Sequence, residues 1–191
     1  IGDYACKCIK LVPYLSLFLK HKLGIQDVYV FDMAHGAKCV TKKQEKDESF
    51  YDMCGNLSDR NQESTKAYIV LYPELMFPSE NRSLDENEKN NLILLDETLN
   101  SSNFMESRNV VVFITESLKD INSMLISSNT RTFTINISLP TYEERLEFIK
   151  FKVADNKCEN CFANLTYEEF ARFSAGLSLM NIEDIILNAQ S

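Results

Sequence analysis

Runs of apolar residues separated by polar segments predict four strands. Val110–Ile114 is apolar at every position, and residues 67–77 hold a second apolar run that Pro73 closes. An unbroken run of this length is typical of a strand buried on both faces of a sheet. Residues 27–34 and 133–139 are shorter β-rich runs, and each predicts one further strand.

Helical spacing and capping signals predict the helices. Apolar positions recur every three or four residues over residues 3–23, where Pro13 either kinks the helix or marks its true start. A Ser-x-x-Glu capping box predicts a helix over residues 84–99, and a short helix is expected over residues 119–126. Residues 41–66 are polar and have no period, so we expect a long and partly disordered loop there.

The character of the chain changes after Pro140. Capping boxes begin at Thr141 and Thr166, and apolar stripes at helical spacing follow both. Residues 141–191 are therefore expected to form a small all-helical unit. Strands that alternate with helices before Pro140 predict an α/β core over residues 1–140, with a mainly parallel sheet and flanking helices.

The charge and hydropathy of the chain exclude some classes of protein. There are 28 acidic and 20 basic residues, which give a net charge of -8 and argue against a nucleic-acid groove. The most apolar stretch, residues 11–19, is far shorter than the roughly 20 residues that span a membrane. The chain begins at Ile1 without Met and shows no signal peptide, so we expect an excised domain of a cytoplasmic protein.

Polar residues follow the strand predicted at Val110–Ile114. Thr115, Glu116 and Ser117 form a polar tip at the carboxyl end of that strand. Open α/β sheets build their sites at the carboxyl ends of strands. The sequence therefore places the candidate site at this edge of the sheet.

Cys158 and Cys161 form the only pair with a spacing typical of metal ligands. Together with Cys6 and Cys8 they could supply the four thiolates of a tetrahedral zinc site. The two pairs lie at opposite ends of the chain, however. A reversible disulfide and inert thiols are the alternatives, and inert thiols are the simplest of the three.

Asp32 and His35 lie at the end of a predicted strand, where catalytic residues do occur. No nucleophile context such as G-x-S-x-G accompanies them. A hydrolase built on this pair is therefore the weaker interpretation.

The order of these parts resembles the AAA+ ATPase module. The pieces that carry the resemblance are residues 110–117 (the sensor-1 strand), 139–145 (the start of the lid), 176–189 (the last lid helix) and 67–74 (the Walker B strand). The resemblance covers residues 67–191, and residues 1–40 only by the order of their elements. It implies a P-loop NTPase-type core followed by a helical lid. More narrowly, the chain resembles the inactive first AAA+ half of bacterial tandem ATPases.

Two nucleotide motifs depart from the AAA+ pattern. No pair of glycines has the G-x-x-x-x-G-K-[ST] spacing, and Gly36-Ala37-Lys38 is only a chance echo of it. We also expect only three residues before the first helix, which leaves no room for a phosphate loop. In Walker B the Mg²⁺-binding Asp is replaced by Pro73, although Glu74 falls where the catalytic Glu belongs.

The sensor positions depart as well. Glu116 stands where a polar amide follows Thr115, and a carboxylate there would repel a γ-phosphate. No basic residue follows Gly176 at the sensor-2 position. Arg131 lies near the place of an arginine finger, which acts in trans on a neighbouring module. The alternative for Arg131 is a solvated loop arginine.

These departures predict a catalytically silent AAA+-like module that docks, assembles or regulates beside an active ATPase domain of the same or a partner chain. The expected partners are an adjacent AAA+ domain or other protein subunits, including a homo-oligomer. We expect no cofactor in this chain, and ATP with Mg²⁺ in the parent protein if an active module follows. The alternatives are a residual ATP-binding domain that uses Glu74 and Thr115, and a thiol or zinc module that uses Cys158 and Cys161.

Overall fold

The computed structural model describes residues 10–42, 47–61, 64–79, 83–127, 131–155 and 165–189. The described residues fall into two compact units, Lys10–Phe133 and a unit that contains those from Thr134 onward. The larger unit has α/β architecture and the smaller one is built of helices, which confirms the predicted fold class. Within the described ranges, none of the helices combines the length and the apolar character that crossing a membrane requires.

A four-stranded sheet forms the centre of the larger unit. Its strands are β1 (Asp27–Asp32), β2 (Gly36–Cys39), β3 (Lys66–Leu71) and β4 (Val110–Ile114), in the spatial order β2-β1-β3-β4. β1, β3 and β4 run parallel, and β2 folds back antiparallel to β1 through a short hairpin. The mainly parallel sheet is confirmed, with an antiparallel strand that the sequence pattern did not indicate.

β3 is buried on both faces. Tyr68 and Val70 belong to one hydrophobic core, whereas Ala67 and Ile69 belong to a second core. All four residues are at most 1% exposed. The same expectation for β4 is wrong: its residues are half-buried, because β3 is the only described strand that pairs with it.

Helices cover both faces of the sheet, as a mainly parallel sheet requires. The first core is packed by α2 (Phe50–Ser58), α3 (Pro73–Met76), α4 (Glu86–Asn100), α5 (Ser102–Glu106) and α6 (Ser123–Ser127). Met53, Leu57 and Leu95 are completely buried in this core. The second core receives Leu19 from α1 (Leu11–Lys22).

α2 corrects the prediction of a continuous loop over residues 41–66. The Ser49 hydroxyl accepts a hydrogen bond from the Asp52 backbone N–H at 3.2 Å, and the Asp52 carboxylate accepts one from the Ser49 N–H at 2.9 Å. This is a complete capping box. Phe50, Met53 and Leu57 then recur at helical spacing and are buried. This capping box has Asp in place of the usual Glu. The helix is also short and lies in a polar segment, so the helical spacing of its apolar residues is hard to recognise in the sequence.

Two other helix starts differ from the predictions. α1 begins at Leu11, so Pro13 lies in its first turn, where proline is tolerated, and marks the start of the helix. α4 begins after Asp85, whose carboxylate forms a capping box with Glu88. The box expected to begin at Ser83 is therefore wrong by two residues. Asp85 and Glu88 form the capping-box hydrogen bonds instead.

Two predicted strands are shorter or absent. β3 stops at Leu71, and Pro73 begins α3, because proline cannot donate to a sheet ladder. Residues 133–139 form no strand, and Phe133 and Ile135 are 87% and 85% exposed. A strand needs a neighbouring backbone for its N–H and C=O groups, and no described strand pairs with this segment. The helix expected over residues 119–126 is a 3-10 turn followed by α6.

The smaller unit contains α7 (Tyr142–Asp155), α8 (Tyr167–Phe173) and α9 (Leu179–Asn188). The two predicted capping boxes, which begin at Thr141 and Thr166, are both formed. The helices pack around a core whose most buried members are Ile149, Ala171, Ile182 and Ile186.

Arg145 connects the start of this unit to α8. Its side chain is buried, Nε donates to the Ala171 carbonyl at 3.0 Å, and Nη1 donates to the Pro140 carbonyl at 2.6 Å. A buried cation is costly unless hydrogen bonds of this kind compensate it. The arginine therefore fixes the polypeptide at Pro140 against the helical unit.

We expect Arg145→Met to lower the free energy of unfolding of the helical unit by about 2 kcal/mol or more, because two charge-assisted hydrogen bonds are lost. Hydrogen exchange of α7 and α8 amides would measure this. Lys150→Met is the matched control, since the ion pair that Lys150 makes with Glu168 at 3.1 Å is exposed and of a kind worth roughly 0–1 kcal/mol. Equal effects of the two substitutions would contradict the role given to Arg145.

A second prediction concerns Asp27, which is 6% exposed at the start of β1. Its carboxylate accepts hydrogen bonds from Lys42 Nζ at 2.8 Å and Ser64 Oγ at 2.7 Å. Burial alone would raise the pKa of Asp27, but these two bonds and the positive charges of Lys42 and Lys66 together outweigh burial and lower that pKa. We expect Asp27→Asn to destabilise the larger unit by about 1–3 kcal/mol at neutral pH.

The sign of the pH dependence follows from the lowered pKa of Asp27. The stabilisation is present above the unfolded-state pKa of about 3.9, and it is lost as the pH falls through the lower folded-state value. Chemical denaturation of wild type and Asp27→Asn should therefore converge at acidic pH. Asp120→Asn, an exposed carboxylate in the same unit, serves as the control and should show no such convergence. A gap that stays constant down to acidic pH would contradict the prediction.

Candidate functional site

The carboxyl ends of β3 and β4 lie side by side. The strands are parallel, and Leu71 pairs with Ile114 at the last register position. Thr115 and Glu116 continue from β4, while Glu74 follows β3 three residues after Leu71. The structure therefore brings the three residues predicted for this site to one edge of the sheet.

The backbone turns sharply between β3 and Glu74. Tyr72 adopts the left-handed conformation, with φ 53° and ψ 46°, and its side chain is 61% exposed. This conformation costs a non-glycine residue about 1–2 kcal/mol. Pro73 follows, is buried, and begins α3. Glu74 therefore lies in the first turn of a short helix instead of extending the strand.

Glu74 carries the most unusual polar atom of this edge. Its side chain is half-buried, and Oε2 is inaccessible to solvent and has no hydrogen-bond partner within the part of the chain that the structure describes. Most buried polar atoms are hydrogen-bonded, because an unpaired one loses its hydration without compensation. Oε2 is thus a buried acceptor that could receive a donor from outside the described residues.

The two residues that follow β4 differ in whether their side chains are hydrogen-bonded within the turn. The Thr115 hydroxyl donates to the Ser117 carbonyl at 3.1 Å and accepts from the Ser117 N–H at 3.3 Å. It therefore closes its own turn. Glu116 is exposed, and its carboxylate adds negative charge to the edge of the sheet that also holds Glu74.

Arg131 lies elsewhere in the larger unit. Its Nη1 donates to the Met105 carbonyl of α5, the helix that leads into the amino end of β4. Glu74 and Thr115 lie beyond the opposite ends of their strands. Arg131 is therefore tied to the α5 backbone instead of this edge, and its role in trans stays a prediction.

Asn122 connects the segments that follow β3 and β4, a role that no sequence pattern indicated. Its backbone N–H donates to the Phe77 carbonyl at 2.8 Å, and its side-chain amide donates to the Pro78 carbonyl at 3.3 Å. Ser79 N–H adds a bond to the Asp120 carbonyl at 2.9 Å. The buried Asn122 thus holds the two strand ends in a fixed arrangement.

The segment Gly36-Ala37-Lys38, which partly matches a phosphate-loop motif, has a structural role. Gly36 begins β2 with φ +75°, and a Cβ atom there would lie 2.4 Å from the Glu48 carbonyl oxygen. The glycine is therefore needed for a close backbone approach. The expectation that only three residues precede the first helix is wrong, because α1 begins at Leu11. Residues 1–9, including Lys7, lie outside the described residues, so the absence of a phosphate loop stays a prediction.

Asp32 and His35 do come together, at the hairpin between β1 and β2. His35 Nδ1 lies 2.9 Å from Asp32 Oδ1, which also accepts from the backbone N–H groups of Ala34 and His35. Burial alone would raise the pKa of Asp32, but these hydrogen bonds together outweigh burial and lower that pKa. The hydrogen bonds of Asp32 and His35 therefore stabilise the hairpin turn.

The structure describes only some of the six cysteines. Cys6, Cys8, Cys158 and Cys161 lie outside the described residues, so the zinc and disulfide alternatives stay predictions. Among the described residues, no group of three or more His, Cys, Asp or Glu side chains is placed to hold a metal ion. Burial raises the pKa of Cys54 to about 11, although a contact with Thr98 partly opposes it, which makes this thiol unreactive.

The residues at the end of β3 do not fit a Mg²⁺-nucleotide site of the AAA+ type. Mg²⁺ binds carboxylate and phosphate oxygens, and the position expected to provide a carboxylate is occupied by Pro73, which offers no side-chain ligand. Glu74 has the right side chain, but one of its oxygens is buried. No catalytic step can be derived through a metal held here.

We expect Glu74→Met to raise the free energy of unfolding by about 1 kcal/mol, because the substitution removes a buried acceptor without a partner. Chemical denaturation followed by circular dichroism would measure it. Glu116→Met, at the exposed neighbour, should change stability by no more than about 0.5 kcal/mol. A loss of stability in Glu74→Met that Glu116→Met does not share would show that Oε2 has a partner.

Comparisons with known proteins agree with this architecture. The family model of the AAA+ chaperone N-terminal Rossmann-like domain matches residues 18–138, and that of the AAA+ chaperone second helical domain matches residues 143–191. No curated protein matches the sequence.

One solved structure illustrates the fold. A chain in the structure of the E. coli MS115-1 HORMA:CdnC:Trip13 complex is similar with a TM-score of 0.62 at 12% sequence identity. The match covers 96% of this chain and 62% of that chain, so the present chain spans less than two thirds of it. At this identity the likeness shows the fold alone. With both of its parts matched by family models, the chain belongs to the AAA+ chaperone family.

Proposed function

We propose that this chain is a catalytically silent AAA+ module that docks, assembles or regulates beside an active ATPase domain of the same or a partner chain. The observation that carries the proposal is the course of the backbone after β3. Pro73 is buried at the start of α3, in the position where an AAA+ enzyme needs a metal-binding carboxylate. Glu116, at the adjoining strand end, places a negative charge where a γ-phosphate would need a neutral or positive group.

A role through surfaces has support of its own. Phe133, Ile135, Ile137 and Leu139 are between 56% and 87% exposed, which is unusual for so many apolar side chains close together in sequence. Exposed apolar groups of this kind mark places where further protein packs. The solved structure with the same fold is a complex of several proteins, which agrees with an assembly role. The parent protein is proposed to be cytoplasmic and to bind ATP and Mg²⁺ in its active module, and a homo-oligomer is one proposed form of the assembly.

The second candidate is a residual nucleotide-binding domain, and the unpaired Glu74 Oε2 is the observation that favours it. A buried acceptor without a partner is what a site awaiting a ligand donor would contain. This candidate and the silent module make opposite predictions about ATP.

We expect calorimetric titration of the 191-residue chain with Mg-ATP to give only the heat of dilution, because the metal-ligand position is a proline. The melting temperature should not change with ATP. A micromolar dissociation constant, with a rise in melting temperature that Glu74→Gln abolishes, would overturn the silent module in favour of the residual binder. Glu97→Gln, which changes an exposed carboxylate on α4, is the matched control for the charge change.

A further inference from the structure

A cavity of about 450 Å³ lies in the larger unit beside the carboxyl end of β1. It is bounded by the hairpin that follows β1, the start of α2, and the first half of α4. Its volume falls in the range of about 300–1,000 Å³ that is typical of ligand pockets. Glu74, Thr115 and Glu116 are not among its lining residues, so it is separate from the site at the strand ends.

The apolar side of this cavity combines aromatic and methionine side chains. Phe31, Phe50 and Met76 are buried at its base, while Met33 and Tyr51 are 61% and 65% exposed at its rim. The Phe31 and Phe50 rings meet edge to face, with centroids 6.2 Å apart. Flexible methionine side chains can adjust to ligands of different shape, and the rigid rings offer flat apolar surfaces. The cavity therefore suits an apolar or aromatic side chain of a ligand.

Two asparagines contribute their amides to the polar side of the cavity, which also includes His35, Asp47, Glu48 and Ser49. Asn87 and Asn91 are four residues apart on α4, so they share one face of the helix. The hydrogen bonds described for α4 and its surroundings include no partner for either side-chain amide. An amide offers both donors and an acceptor, which is the combination that pairs with a peptide backbone. The cavity therefore offers an apolar pocket next to groups suited to an extended chain.

The charge around the cavity selects between possible peptides. Asp47 and Glu48 line the cavity, and Asp85, Glu86 and Glu88 lie next to Asn87 along the chain at the start of α4. His35 also lines the cavity and is paired with Asp32. Lys38 is engaged by Asp47 at 3.7 Å. An acidic or phosphorylated ligand would be repelled here, whereas Lys or Arg residues beside the apolar anchor would be attracted.

We propose that this cavity binds a partner protein through an extended peptide segment, with one large apolar side chain in the pocket, its backbone on Asn87 and Asn91, and basic residues on either side. The binding needs no nucleotide, so it does not depend on whether the module is silent. Because the anchor is central and desolvated, it provides most of the affinity, and the basic flanks add a salt-dependent part.

The test uses the 191-residue chain and fluorescein-labelled peptides, followed by fluorescence anisotropy. KKAFAKK is expected to bind saturably, with weaker binding at high salt. KKASAKK lacks the anchor and EEAFAEE reverses the flanks, so each should bind at least about tenfold more weakly. Equal binding of all three peptides, or no saturable binding of KKAFAKK, would overturn the proposal.

Two variants locate the binding on the protein. Tyr51→Ala should weaken KKAFAKK binding about tenfold, and Asn91→Ala should weaken it several-fold, without a change in the melting curve. Tyr14→Ala is the matched control, because Tyr14 is a 49% exposed tyrosine on α1 that does not line the cavity, and it should have no effect. A Tyr14→Ala effect as large as that of Tyr51→Ala would place the binding elsewhere and overturn the proposal. Unchanged binding on addition of Mg-ATP separates this result from the nucleotide question.

Discussion

The structure depends on the burial of β3 between two hydrophobic cores. Tyr68 is inaccessible to solvent and stacks on Tyr29 of the adjacent strand, with ring centroids 4.7 Å apart. Its hydroxyl donates to Glu48 Oε2 at 2.7 Å, and the same oxygen accepts from Asn56 Nδ2 of α2 at 2.9 Å. Burial and the nearby Glu48 raise the pKa of Tyr68, so the hydroxyl stays a donor. One partly buried hydrogen-bonded network thus joins β3, the segment before α2, and α2 itself.

This constraint decides what the strand end can do. A strand fixed on both faces delivers the next residues to a defined point, and here those residues are Tyr72 and Pro73. The strained Tyr72 and the buried Pro73 turn the chain into α3, while Asn122 ties the following segment to the one after β4. The edge keeps the framework of an α/β site, with the buried Pro73 at the position where the proposal looks for a metal-binding carboxylate.

Much of the fold could be predicted from the sequence, for physical reasons. Continuous apolar runs located β3 and β4, and the capping boxes that begin at Thr141 and Thr166 located helices of the smaller unit. Local hydrogen bonds and burial decide those elements. The sequence failed where tertiary contacts decide: β4 reads as a strand buried on both faces, yet it pairs with only one described strand. The helix that Ser49 begins was hidden by its polar surroundings.

The candidate site was predicted less completely than the fold. The neighbouring positions of Glu74 and Thr115 followed from parallel strands, but the buried, unpaired Glu74 oxygen and the Asn122 bonds depend on coordinates. A single sequence does not indicate which buried polar atom lacks a hydrogen-bond partner in the folded chain.

Release of inorganic phosphate from Mg-ATP by the purified 191-residue chain tests the central claim most directly. A silent module predicts a rate equal to that of buffer, unchanged by Glu74→Gln. A rate above buffer that Glu74→Gln abolishes would show that the edge beside Pro73 still catalyses hydrolysis, and it would contradict the account.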